Sequence, residues 1–134
     1  MIGLDLGSRS VKIVQMNDGL ISGCRLYDTI DFYRRYGGLG TGSLSINIDE
    51  LGLNPDDRMI ATGYGKITVK VKGAEHIPEI QAHVQGAVFQ SGLRDFTLVD
   101  IGGQDTKVIM VREGKIRDFL TNDRCAASSG ATCG

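Results

Sequence analysis

Thr97-Leu98-Val99-Asp100-Ile101-Gly102-Gly103-Gln104-Asp105-Thr106-Lys107-Val108-Ile109 reads as strand, tight polar turn, strand. An apolar run enters the stretch, a carboxylate sits at its lip, two glycines turn the chain and a second apolar run leaves. Glycines at such a turn let backbone N–H groups approach an anion, and a carboxylate beside them can hold a hydrated Mg²⁺. A purely structural hairpin with a Gly-Gly turn has the same pattern. The start of the chain repeats the plan: Ile2-Gly3-Leu4-Asp5-Leu6-Gly7-Ser8-Arg9-Ser10-Val11-Lys12 runs strand, Asp, Gly, polar turn, strand.

A length of 134 residues fits one domain with room for a real core. Fifteen Lys and Arg against sixteen Asp and Glu give a net charge of −1, so there is no bulk electrostatic case for nucleic acid or an anionic membrane. No apolar run is long enough to span a bilayer and no signal-peptide pattern opens the chain, which makes the cytoplasm the expected compartment. Nineteen glycines against two prolines signal many tight turns. The three cysteines, Cys24, Cys125 and Cys133, argue against a disulfide framework and leave buried, reactive or metal-binding thiols.

In chain order, residues 1–7 read as a buried strand and Val11 to Met16 as its return. Asn17-Asp18-Gly19 is the strongest hairpin signal, leading into a third antiparallel strand over Leu20 to Ile30. Residues 31–56 have no sustained period and read as a loop or flap around 33–47, with a short helix over Ile48 to Leu53 closed by Asn54-Pro55. Asp57 to Thr62 is expected as a fourth strand and Ile67 to Val71 as an edge strand. Glu75 to Gly92 has the helical stripe Ile80, Val84, Ala87, Val88, with Pro78 at its first position and Ser91-Gly92 at its end. Glu79 and His83 share a face; from spacing alone His83 reads as a half-buried histidine with a local hydrogen bond, and Glu79 gains from the helix N-terminus. Ile116 to Leu120 pairs back after an Arg112-Glu113-Gly114-Lys115 turn, and Asn122-Asp123 can cap a helix starting near Arg124.

Gly3-Leu4-Asp5-Leu6-Gly7-Ser8, Ala61-Thr62-Gly63-Tyr64-Gly65, Glu79 with His83, Asp100-Ile101-Gly102-Gly103-Gln104-Asp105 and Asn122-Asp123-Arg124-Cys125-Ala126-Ala127 stand in one order and spacing. In this the chain resembles the activator ATPases of 2-hydroxyacyl-CoA dehydratases and benzoyl-CoA reductases, over the N-terminal half of that family's pattern. The resemblance implies an α/β fold: an RNase H-like lobe of the actin and hexokinase type, a mixed sheet with an antiparallel three-stranded meander and flanking helices. Residues 1–134 would be a single such lobe with the second lobe absent. It implies a homodimer sharing one [4Fe-4S] cluster, in which ATP hydrolysis drives a low-potential electron into a dehydratase or related reductase.

Carried over to this sequence, the resemblance places Asp5 and Asp100 on facing strand ends around Mg²⁺ and the phosphates of ATP or ADP. Gly7, Ser8, Gly102 and Gly103 would give backbone donors, Asp105 would belong to the same turn and Lys12 would add a point charge. Gln104 would orient the attacking water, Glu79 would be a polarising base, and Cys125 would ligate the cluster at a helix start. One cysteine per subunit cannot hold four irons, and the family takes a second from its C-terminal half. Cys133 is a weaker candidate, and Cys24 reads as core. Ser128-Ser129-Gly130 departs from the family's Gly-Thr-Gly. A competing reading is a non-catalytic isolated lobe that dimerises or binds a partner; a sugar or small-molecule kinase would leave Asp123 to Ala127 without a purpose.

Overall fold

The computed structural model describes residues 1–39, 44–63, 69–102 and 105–123. Its residues gather into two compact units, Met1–Glu79 and Ile80–Gly134. The division falls at the start of the main helix.

The first unit opens with an antiparallel meander of β1 (Ile2–Leu6), β2 (Ser10–Asn17) and β3 (Leu20–Asp28). Asp18 and Gly19 turn β2 into β3 with φ of 51° and 76°, the pair of positive angles that a primed two-residue hairpin requires. Strand β3 stops at Asp28 because that residue caps a helix, α1 (Thr29–Tyr36), which replaces the loop expected from 31 onward. The Asp28 carboxylate accepts from the amides of Ile30 at 2.9 Å and Asp31 at 3.2 Å. Asp31 lies in the first turn and Arg34 and Arg35 in the last, each sign at the end that the helix dipole favours. Asp28→Ala removes both caps and is expected to lower stability by about 1 kcal/mol in a urea titration.

Strands β4 (Gly37–Leu39) and β5 (Leu44–Ile46) follow, then β6 (Met59–Thr62), β7 (Val69–Lys70) and β8 (Ala74–His76). Residues 48–52 form successive turns in place of the expected helix; Ile48, Leu51 and Leu53 are nevertheless buried. Pairing of β6 beside β1 and of β8 beside β6 is parallel, so the five-stranded sheet in the order β3-β2-β1-β6-β8 is mixed. The expected edge strand 67–71 is reduced to β7, which joins β4 and β5 in a small sheet; residues 64–68 lie outside the described residues. Alternate residues of the meander, Leu4, Leu6, Val11 and Ile13, enter one buried cluster with Phe32 and Tyr36 of α1. Cys24 is exposed on β3, the outer strand, and is therefore not the core residue its strand position suggests.

The second unit holds α2 (Glu79–Ser91) and a second meander, β9 (Phe96–Ile101), β10 (Asp105–Arg112) and β11 (Lys115–Asp123). Pro78 precedes α2, one position earlier than expected, and β8 takes the residues assigned to the helix's first turn. Gly92, at φ 71°, ends the helix and donates its amide to the Val88 carbonyl at 2.9 Å. Val84, Ile109 and Val111 are buried, with Ile80, Val88, Phe96, Leu98 and Ile116 packed around them, which is the expected helical stripe against one face of the sheet.

The two meanders are copies in register. Adding 95 to the bounds of β2 and β3 gives those of β10 and β11. The bulge between Gln15 and Met16 recurs between Met110 and Val111, and the Asp18-Gly19 turn recurs at Glu113-Gly114 with φ of 53° and 73°. The pair Asp5 opposite Lys12 recurs as Asp100 opposite Lys107.

Candidate functional site

In the first meander Asp5 lies in β1 directly across from Lys12, and the Lys12 Nζ stands 3.0 Å from Asp5 Oδ2. With Lys12 about half exposed this pair adds little stability, but it holds the carboxylate in one place. The Gly7 amide donates to the Ser10 carbonyl at 3.1 Å and closes the turn, leaving exposed Ser8 near its tip. A Cβ on Gly7 would stand 2.6 Å from that carbonyl, so the turn admits no side chain there. The first residue of α1 clamps the turn from behind: Thr29 Oγ1 donates to the Gly7 carbonyl at 2.8 Å and its amide to Arg9 at 3.2 Å. The helix missing from the sequence reading is thus the element that positions the first turn.

Gly63, at the end of β6, has φ 79° and approaches Asp5 so closely that a Cβ would fall within the carboxylate. Thr62 beside it is buried and donates Oγ1 to the Ile77 carbonyl at 2.8 Å. Gly63→Ala combines a strained backbone with displacement of Asp5, and a loss of about 2 kcal/mol in thermal unfolding is expected. Wild-type stability in that variant would show that the Gly63 backbone does not confine Asp5.

The second meander repeats the turn with different side chains. The Gly102 amide donates to the Asp105 carbonyl at 2.8 Å, and a Cβ there would meet Asp105 Oδ1 at 2.9 Å. Asp105 takes the place of Ser10, and Lys107 is drawn to it: Nζ is 2.8 Å from Asp105 Oδ2 and 3.9 Å from Asp100 Oδ2. Asp100 Oδ2 is instead 2.8 Å from His83 Nδ1 on α2. Sequence reasoning treats His83 as structural and leaves Lys107 without a role. The signal that finds Lys107 is the 95-residue repeat, which makes it the counterpart of Lys12; His83 has no counterpart in the repeat.

Of the residues singled out from sequence, Asp5, Gly7, Ser8 and Lys12 gather at the first turn and Asp100, Gly102 and Asp105 at the second. Glu79 is the exposed first residue of α2. Gly103, Gln104, Cys125 and Cys133 lie outside the described residues, as does the helix expected from Arg124. Among the described residues no group of three or more His, Cys, Asp or Glu is placed to hold a metal ion, and no helix is long and apolar enough to cross a membrane.

The sequence matches the BadF/BadG/BcrA/BcrD ATPase family over residues 2–134. It is 31% identical to the (R)-2-hydroxyglutaryl-CoA dehydratase activating ATPase of Acidaminococcus fermentans, covering 96% of this chain and 49% of that protein. It is 34% identical to the activator of lactoyl-CoA dehydratase of Anaerotignum propionicum, again over 96% of this chain and 49% of the relative. The crystal structure of the Acidaminococcus fermentans (R)-2-hydroxyglutaryl-CoA dehydratase component A superposes with a TM-score of 0.63 at 28% identity, covering 94% of this chain and 48% of that one. The chain therefore spans about half the length of these relatives. The mixed α/β architecture is that of the actin-like ATPases, and the chain belongs to the BadF/BadG/BcrA/BcrD ATPase family.

Proposed function

We propose that this chain is the N-terminal portion of an ATP-dependent activator that passes a low-potential electron from a [4Fe-4S] cluster to a 2-hydroxyacyl-CoA dehydratase or related reductase. The observation that carries the nucleotide part is the paired turn: two meanders in one register, each with a strand carboxylate, a lysine opposite and a tightly placed glycine that closes the turn. That donor set fits a hydrated Mg²⁺ and the phosphates of ATP or ADP. In its own unit each strand carboxylate, Asp5 or Asp100, would hold such a cation through its water shell, and Lys12 would add positive charge beside the phosphates. Bound Mg²⁺ supplies charge neutralisation on the transferred phosphoryl group. The amides of Gly7 and Gly102 are committed within their turns, so those glycines serve as clearance, and in the first turn donation falls to the tip around Ser8. Gln104 is the proposed water-orienting residue and Glu79 the proposed polarising base.

The described residues do not fit a cluster: Cys24 is their one cysteine and sits exposed on a strand. The cluster proposal rests on Cys125 and the family resemblance. A partner surface has support of its own. Val99, Ile101 and Leu120 are 55%, 78% and 73% exposed, and Val99 and Leu120 flank Val108 in one row of the second sheet. Apolar residues so grouped on a surface mark protein interfaces, in keeping with a proposed homo-oligomer or a dehydratase partner.

The test is ADP binding by calorimetry with and without Mg²⁺, on protein purified anaerobically and assayed for iron. Mg²⁺-dependent binding and protein-bound iron that Cys125→Ala removes are the expected results. Binding that ignores Mg²⁺ overturns the nucleotide reading, and iron-free protein whose oligomeric state Cys125→Ala leaves unchanged overturns the cluster reading.

A further inference from the structure

We infer that His83 is a positioning residue for Asp100, doing in the second unit what Lys12 does for Asp5 in the first; this rests on the reading of Asp100 as a Mg²⁺ carboxylate. The repeat supplies the comparison. At equivalent positions the two lysines behave differently: Lys12 Nζ is 3.0 Å from Asp5 Oδ2, whereas Lys107 Nζ is 3.9 Å from Asp100 Oδ2 and 2.8 Å from Asp105 Oδ2. The diversion follows from the first residue of the return strand, three after the turn glycine, which is Ser10 in one unit and the acidic Asp105 in the other. Asp105 takes the ammonium, and Asp100 would lose its anchor.

His83 fills that role from a more rigid base. Its Nδ1 lies 2.8 Å from Asp100 Oδ2, and an ionised carboxylate has only acceptors, so Nδ1 carries the proton and donates. The side chains are 36% and 22% exposed, a drier pair than the 55% and 30% of Lys12 and Asp5. The ring is carried by α2 one position before Val84, which is buried in the core of the second unit, so the donor is fixed by the fold. Hydrogen bonds to a metal-binding carboxylate set its orientation, and their loss costs on the order of 10- to 100-fold in metal affinity.

The test is the Mg²⁺ concentration that half-saturates ADP binding by the 134-residue chain. Asn places an amide nitrogen where Nδ1 stands, and Gln places one where Nε2 stands. His83→Asn should keep the wild-type Mg²⁺ dependence. His83→Gln and His83→Leu should raise the half-saturating Mg²⁺ about 10-fold or more while ADP affinity without Mg²⁺ stays unchanged. Should His83→Leu fail to fold, the Asn and Gln pair decides alone. Equal behaviour of Asn and Gln overturns the inference. Asp100→Asn in parallel separates the two levels: if it retains Mg²⁺ dependence, the reading of Asp100 falls and the inference with it. If Asp100→Asn loses the dependence while His83→Gln keeps it, only the role of His83 falls.

Discussion

Phe32→Ala is expected to lower the stability of the first unit by about 3–5 kcal/mol in a urea titration. Phe32 is fully buried in the cluster that also takes in Leu4, Leu6 and Ile13 of the meander. Its ring stands 5.3 Å from Tyr27, 5.5 Å from Tyr33 and 5.3 Å from Tyr36, all tilted or edge-on, so truncation removes aromatic contacts as well as buried area. Neighbours held by the sheet and by α1 cannot collapse fully into the space. Phe32→Leu, which keeps most of the volume, should lose about 1.5 kcal/mol. The effect reaches the candidate site, because Thr29 at the start of α1 holds the Gly7 turn. Loosening α1 should therefore also weaken ADP binding at concentrations of urea that leave the wild type folded. A loss below about 1 kcal/mol in Phe32→Ala would mean that α1 does not close this core.

The meanders were legible because their chemistry is local. Asp18-Gly19 and Glu113-Gly114 sit between alternating strands, and the positive φ at each follows from turn geometry alone. The helical stripe Ile80, Val84, Val88 was legible for the same reason, since its period needs no partner. Helix α1 escaped because eight residues give only two buried positions, Phe32 and Tyr36, and glycines follow at once. Its cap signal was present in Asp28, with Asp31 three residues later, but it overlaps the end of a strand that reads well on its own. Strand β8 escaped because Ala74-Glu75-His76 has no apolar alternation; what makes it a strand is its parallel partner β6, far away in sequence. The turns around Asp5 and Asp100 were readable as motifs. Their anchors were not, because His83 and Asp100 are 17 residues apart and meet only when α2 packs on β9. Gly63 escaped likewise: its approach to Asp5 depends on β6 lying beside β1.

Asp100→Asn is expected to reduce Mg²⁺-dependent ADP affinity on the order of 100-fold, with little change in folding stability. The two effects separate because the substitution keeps the shape and removes only the charge. The amide oxygen of Asn can still accept from His83 Nδ1, which stands 2.8 Å from Asp100 Oδ2, so the contact between α2 and β9 survives. Lys107 at 3.9 Å is held mainly by Asp105 at 2.8 Å, and losing its weaker attraction should cost below about 1 kcal/mol. A hard divalent cation, by contrast, loses an anionic ligand that a neutral amide replaces poorly. Asp105→Asn provides the contrast within the same turn. The first unit holds Ser10 at that position and closes its turn through the same backbone hydrogen bond, so the turn does not need the carboxylate. Asp105→Asn leaves the Asp100 carboxylate in place, and its Mg²⁺ dependence should change far less than that of Asp100→Asn. Comparable losses in the two variants would mean that the net charge of the turn, and not Asp100 itself, governs the cation. Unchanged affinity in Asp100→Asn would remove that residue from the nucleotide site and leave the repeat of Asp5 and Asp100 as a matter of strand pairing alone.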